Sequence, residues 1–161
     1  MKGLGILIAL AALLNSPQNS SIDSNKYSDF IQYVTKGFKP TESIKNNCDW
    51  QYALVELKVS NDNRIISYTL LNKALPDLAN GFKYLIGYKF SKNLQINHRP
   101  LVFCLSIENE KKACIDSKKK YSPSEVLGIV FSDLKPAFEE NPNLIFIPDI
   151  IQAEYSFDSI R

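Results

Sequence analysis

The stretch from Trp50 to Leu71 constrains local structure more than any other part of the chain. Ala53, Val55, Leu57 and Val59 alternate with Leu54, Glu56 and Lys58, the period-two pattern of a strand whose one face is apolar and whose other becomes charged toward its end. Ser60-Asn61-Asp62-Asn63 follows; Asn and Asp tolerate left-handed backbone and bond to their own main chain, so this is a turn. Arg64 to Leu71 returns as a second strand rich in β-branched and aromatic residues. The reading is an antiparallel hairpin.

Helical spacing flanks it on both sides. Tyr27, Phe30, Ile31, Val34 and Phe38 fall on one helical face, with Asp23 or Ser24 as start signals and Gly37 before Lys39-Pro40 as the stop. After the hairpin, Leu75, Leu78, Ala79, Phe82, Leu85, Ile86 and Phe90 keep helical spacing, with Pro76 in the first turn and Gly81 and Gly87 weakening the helix. Pro100 to Ile107 reads as a strand, and Ala113 to Asp116 as a strand-like partner. Ser122-Pro123-Ser124-Glu125 carries a capping box, predicting a third helix that ends near Pro136. Leu144 to Phe157 reads as one or two short strands broken at Pro148. The expected fold class is α+β, an antiparallel sheet of three to five strands packed by two or three helices.

The N-terminus reads separately. Lys2 followed by the apolar run Gly3 to Leu14 and the polar stretch Asn15 to Ser21 has the layout of an export signal. Twelve helical residues reach about 18 Å, short of a hydrocarbon core of ~30 Å, so no bulk membrane insertion is expected beyond the N-terminus. Small residues suited to cleavage are poorly placed, which keeps a short uncleaved anchor as the alternative. Residues 1–20 are thus a signal peptide or anchor and 22–161 a single domain, periplasmic or secreted, or membrane-tethered if uncleaved. Hydrophobic residues at 45% with 11% aromatic exclude general disorder, and 19 basic against 17 acidic residues give no sign of a nucleic-acid partner.

Three cysteines in an exported chain allow one bridge and one leftover thiol. A hairpin loop centred on Asn109 would set Cys104 opposite Cys114, the pair expected to bridge if that register holds; otherwise both stay free thiols packed as small hydrophobes. Cys48 would then be odd. No nucleophile pattern surrounds His98, the only histidine, no close pair of metal ligands is present, and the glycines form no phosphate loop, so neither a catalytic residue, a metal nor a cofactor is expected. Lys111-Lys112 and Lys118-Lys119-Lys120 read as a solvated strand edge.

Val55-Glu56-Leu57-Lys58-Val59, the Asn61-Asp62-Asn63 turn, Ile65 to Leu71, Leu78 to Phe82, Tyr88-Lys89-Phe90 and Arg99-Pro100-Leu101-Val102-Phe103, behind an aromatic-striped helix, together resemble the TonB C-terminal domain family. The likeness covers about residues 27–107 and leaves 108–161 as an extension. Ser91 and Asn97 depart from the Pro and Gly usual in that family, no Tyr-Pro opens the first helix, and no Pro-rich spacer precedes the core. What the resemblance implies is a cell-envelope, non-enzymatic module that takes an envelope protein or peptide by strand pairing, on the edge of the Pro100 to Ile107 strand, with Leu101, Phe103 and Leu105, or on its neighbour. The alternatives are a small exported hydrolase using sheet carboxylates, marked by a pocket with two convergent acids, and an inhibitor or immunity-type domain, marked by exposed aromatics and arginine.

Overall fold

Alternation and turn chemistry produce the expected hairpin: β1 (Gln51–Val59) and β2 (Ile65–Leu70) pair antiparallel, with Glu56 opposite Thr69 and Lys58 opposite Ser67. Asn63 holds φ at +62° in the turn, a conformation Asn adopts at little cost. These coordinates are a computed structural model that describes residues 24–74, 76–94, 96, 98–109, 114 and 121–155. The N-terminal segment 1–20, both lysine clusters and the end of the chain beyond Tyr155 lie outside the described residues.

β3 (Leu101–Asn109) lies antiparallel on the other side of β1, Phe103 opposite Val55, and β4 (Ile145–Tyr155) joins β3 in parallel, giving the order β2-β1-β3-β4. The fold is α+β, as expected, but its sheet is mixed rather than wholly antiparallel. A parallel neighbour needs a crossover, and the intervening α4 (Pro123–Glu140) supplies it. Pro148 does not break the last strand in two. From Val102 to Cys104 β3 advances two residues, while its partner advances four, from Phe146 to Ile150. That even insertion is a bulge that keeps Ile145, Ile147, Ile151 and Ala153 buried on one face, where a single extra residue would flip them.

A 3-10 turn at Ser24–Tyr27 leads into α1 (Ser28–Gly37), which buries Tyr27, Phe30, Val34 and Phe38 as the spacing predicts. Gly37 is required: a Cβ there would stand 2.3 Å from the Tyr84 ring. The short α2 (Glu42–Asn46), unforeseen in the sequence, inserts Ile44 into the core. The long helix expected from Leu75 to Phe90 is instead α3 (Pro76–Asn80), a 3-10 turn at Lys83–Leu85 and a reversal at Gly87, φ +91°. Glycine gives little helical stability, and Gly81 lies so close to Phe38 that its Cβ would come within 3.0 Å of the ring. Phe82, Leu85 and Phe90 are buried nonetheless, because the sheet selects the apolar side chains and not the continuity of the helix.

α4 begins with the predicted capping box: Ser122 N donates to Glu125 Oε2 at 2.8 Å, and Glu125 N to Ser122 Oγ at 3.3 Å. It runs past Pro136 to Glu140, beyond the expected end, as Leu134 and Ala137 on either side of the proline are buried against the sheet. The sheet is therefore covered on both sides. α1, α2, α3 and the 3-10 turns cover the face of Val55, Leu57, Phe103 and Ile147, while among the described residues α4 covers that of Leu54, Val102 and Cys104.

Candidate functional site

Neither edge of β3 is open. β1 occupies one side and β4 the other, and Leu101, Phe103 and Leu105 are completely buried beneath the helical layer. The expected interaction at these residues is thereby corrected: the chain's own last strand fills the edge that was to receive a peptide. The sheet ends instead at β2 and β4.

β2 reads Ile-Ile-Ser-Tyr-Thr-Leu and carries no charge and no proline. Leu71 N donates to Leu54 O at 2.9 Å, so the alternation of an antiparallel ladder turns Thr69 and Ser67 toward β1 as well, and aims the N–H and C=O of Tyr68 and Leu70 outward. Among the described residues, nothing bonds to these outward groups. The start of the same edge is already used: Ile65 N donates to Tyr88 O and Gly87 N to Ile65 O, both at 2.9 Å, and Arg64 bridges to Lys89. At the far end the ladder to β1 gives way to Asn72, whose Oδ1 accepts from Leu54 N at 2.8 Å and whose Nδ2 donates to Tyr52 O at 3.0 Å. What remains is a short open edge over Ile66 to Leu70, where Ile66 is 47% exposed.

Its position is fixed from both ends. Tyr68 Oη donates to Ala79 O at 2.8 Å, tying the strand to α3. In the turn, Asn63 Nδ2 donates to Leu94 O at 3.2 Å, and Phe90 N donates to Asn63 O at 2.8 Å. A hydrogen bond from Ser60, then Arg64 and Lys89 nearby, hold the Asp62 carboxyl below the usual carboxylate range. β4, by contrast, carries Pro148 and a bulge, devices that discourage pairing with another strand.

The cysteines pair differently from expectation. Cys114 is bonded to Cys48, Cα to Cα 5.1 Å, and Cys104 is a buried free thiol. Cys104 lies opposite Leu54 on β1 and Ile150 on β4, so both strand neighbours that could present a cysteine to it are taken. Cys114 itself is helical, not part of a return strand; the other residues of 110–116 lie outside the described residues. Burial pushes the Cys104 thiol up to about 12.

Among the described residues, concave places also lie beside α1 and on α4. Beside α1, the Tyr33 ring lies 4.6 Å from Tyr88 and 5.8 Å from Tyr84, with Asp29, Gln32, Lys36 and Lys39 along the rim. Tyr33 Oη donates to Tyr84 O at 3.0 Å and Tyr84 Oη to Val34 O at 2.9 Å, which staples α1 to the turn that follows α3. A depression on α4 is lined by Tyr121, Glu125 and Asp133. Its two acids lie eight residues apart, about 12 Å of helix rise. Each is also engaged, Glu125 in the capping box and Asp133 as acceptor of the Tyr52 hydroxyl. Burial, and then that bond to Asp133, raise the Tyr52 phenol far above its usual value.

His98 occupies an exposed turn with φ +61° and faces no nucleophile in a described contact. No group of three or more His, Cys, Asp or Glu side chains comes together among the described residues, and no described helix is long and apolar enough to cross a membrane. The edge residues Tyr68 and Leu70 escaped the sequence reading, although the uncharged run from Ile65 to Leu70 carried the signal. The chain matches no protein-family model, no curated protein and no solved structure.

Proposed function

We propose that this chain is an exported, non-enzymatic interaction module of the cell envelope, with a TonB C-terminal-like core, that receives an extended protein or peptide segment by strand addition to β2. The observation that carries the reading is the outer edge of β2: outward main-chain groups at Tyr68 and Leu70 on an uncharged strand, in a sheet whose opposite edge is guarded. Strand addition draws affinity from such groups, and pockets beside the edge add specificity. The order helix, hairpin, helix, strand, with β1 between β2 and β3, is in keeping with the likeness over residues 27–107. Export is supported by the apolar run Gly3 to Leu14 and by the Cys48–Cys114 bond, since disulfides persist in oxidising compartments.

Peptides selected from a displayed random library, followed by hydrogen exchange of the complex, test the reading. Slowed exchange at the Tyr68 and Leu70 amides is expected; protection confined to β4 or to the α1 groove overturns it. Cell fractionation with thiol counting tests export. The unreduced, denatured protein should expose one reactive thiol, Cys104, and a cytoplasmic, fully reduced chain overturns this part.

A second reading, the inhibitor or immunity-type domain, is favoured by Leu127, Phe131 and Phe138, 44%, 54% and 37% exposed on α4. Phe131→Ser separates the two: loss of partner binding with the β2 edge intact supports the second.

A further inference from the structure

We infer that the resting occupant of the β2 edge is a second copy of this chain, so that dimerisation and capture of a foreign strand compete for the same main-chain groups. The inference rests on the proposed use of that edge and adds its regulation.

The outward groups belong to Tyr68 and Leu70, with Thr69 between them facing inward. A two-fold axis through Thr69 would place Tyr68 of each copy opposite Leu70 of the other in hydrogen-bonded positions, every outward N–H meeting an outward C=O on both sides of the axis. The side chains suit this register. Thr69 would face its own copy, a favourable cross-strand pair, and the Tyr68 ring would lie across from Leu70. No residue from Ile65 to Leu70 is charged, so no like charges are brought opposite one another.

Within β2 this register pairs residues 68–70 of the two copies, and Ser67 falls opposite Leu71, past the strand's end at Leu70. The edge closes on the other side at Ile65, already bonded to Gly87 and Tyr88. The second copy's strand ends opposite Tyr68, clear of the chain's own cover at Ile65. A longer foreign strand must stop before Ile65 or displace the Gly87–Lys89 segment. The β4 edge offers no such match, because its bulge and Pro148 interrupt the ladder.

The register is tested by charge at Thr69, an exposed side chain that takes no part in the core. Native mass spectrometry and sedimentation of the whole exported chain at high micromolar concentration should show a reversible dimer. Thr69→Lys and Thr69→Glu, each confirmed folded by circular dichroism, should each be monomeric, since like charges would face each other across the axis. Mixed in equal amounts, the two should recover a heterodimer, which no general loss of folding could produce. A library-selected peptide that binds the wild-type chain should convert the dimer to a complex of one chain with one peptide. A chain that stays monomeric at all concentrations overturns the inference, as does a dimer that both Thr69 variants retain. Peptide protection of Tyr68 and Leu70 in such a monomer would leave the proposed function standing. A dimer rescued by the mixed variants, with no peptide ever bound at β2, would leave the inference standing and remove that function.

Discussion

The two faces of the sheet are built on different terms. On one, Phe30, Phe82 and Phe103 interlock, Phe103 with ring centroids 5.4 Å from Phe30 and 6.0 Å from Phe82, beneath three short helices. On the other, α4 lays Val130, Leu134 and Ala137 over Leu54, Val102 and Cys104, with the polar link from Tyr52 to Asp133 at its margin. The first face gains stability from aromatic area and shape; the second buries less and includes a titratable thiol. α4 also stops short of β2, whose residues on that side, Ser67 and Thr69, stay exposed beside Lys58.

Truncation should separate the faces most clearly. Phe103→Ala removes the ring at the centre of the aromatic cluster and is expected to cost about 4 kcal/mol in chemical denaturation. Leu134→Ala on the α4 side is expected to cost about 2.5 kcal/mol, toward the lower end for such changes, because a single surface helix can settle into the gap. Equal losses would mean that α4 is packed as rigidly as the aromatic side.

Much of this division was legible in the residues. The alternation from Ala53 to Val59, the Asn63 turn, the stripe from Tyr27 to Phe38 and the Ser122–Glu125 capping box are local signals, and each formed its element. What failed was whatever depended on distant partners. The Cys48–Cys114 bond spans 66 residues, and no local spacing encodes it. The parallel seat of β4 depends on α4 carrying the chain back across the sheet, so nothing local to β3 tells that both of its edges are filled. The spacing from Leu75 to Phe90 reported burial correctly but not helical continuity, because glycine and tertiary packing broke the helix while leaving its apolar residues inside. The site followed from the same limit: which strand is outermost is a property of the assembled sheet.

Alkaline pH should distinguish the faces again. Cys104 keeps its proton more tightly in the folded chain, about 12 against the usual 9.0, and the phenols of Tyr52, Tyr27, Tyr68 and Tyr88 are raised above 10.0, chiefly by burial. Groups raised on folding contribute stability that is whole below their unfolded values and is lost as pH climbs through the folded ones. The wild-type chain should therefore begin to lose stability near pH 9, with the thiol, and lose it more steeply above 10, with the phenols. Cys104→Ala is expected to cost about 1 kcal/mol at neutral pH and to flatten the curve between those two points. Urea melts across that range decide it; an unchanged slope would show that the thiol does not titrate with unfolding.

The smallest effect on stability concerns the edges. Ser67→Lys on β2 and Gln152→Lys on β4 each add one charge at an exposed position, and each should alter folding stability by no more than about 0.5 kcal/mol. Their effects on association should differ. An uncharged, proline-free edge strand is open to pairing, and a lysine beside it discourages a second chain. Ser67→Lys should thus lower the fraction of associated chains in sedimentation. Gln152→Lys should leave it unchanged, because the bulge and Pro148 already disfavour pairing at β4. Equal loss in both variants would mean that a lysine anywhere on the sheet suffices, and the contrast between a guarded and an unguarded edge would fall with it.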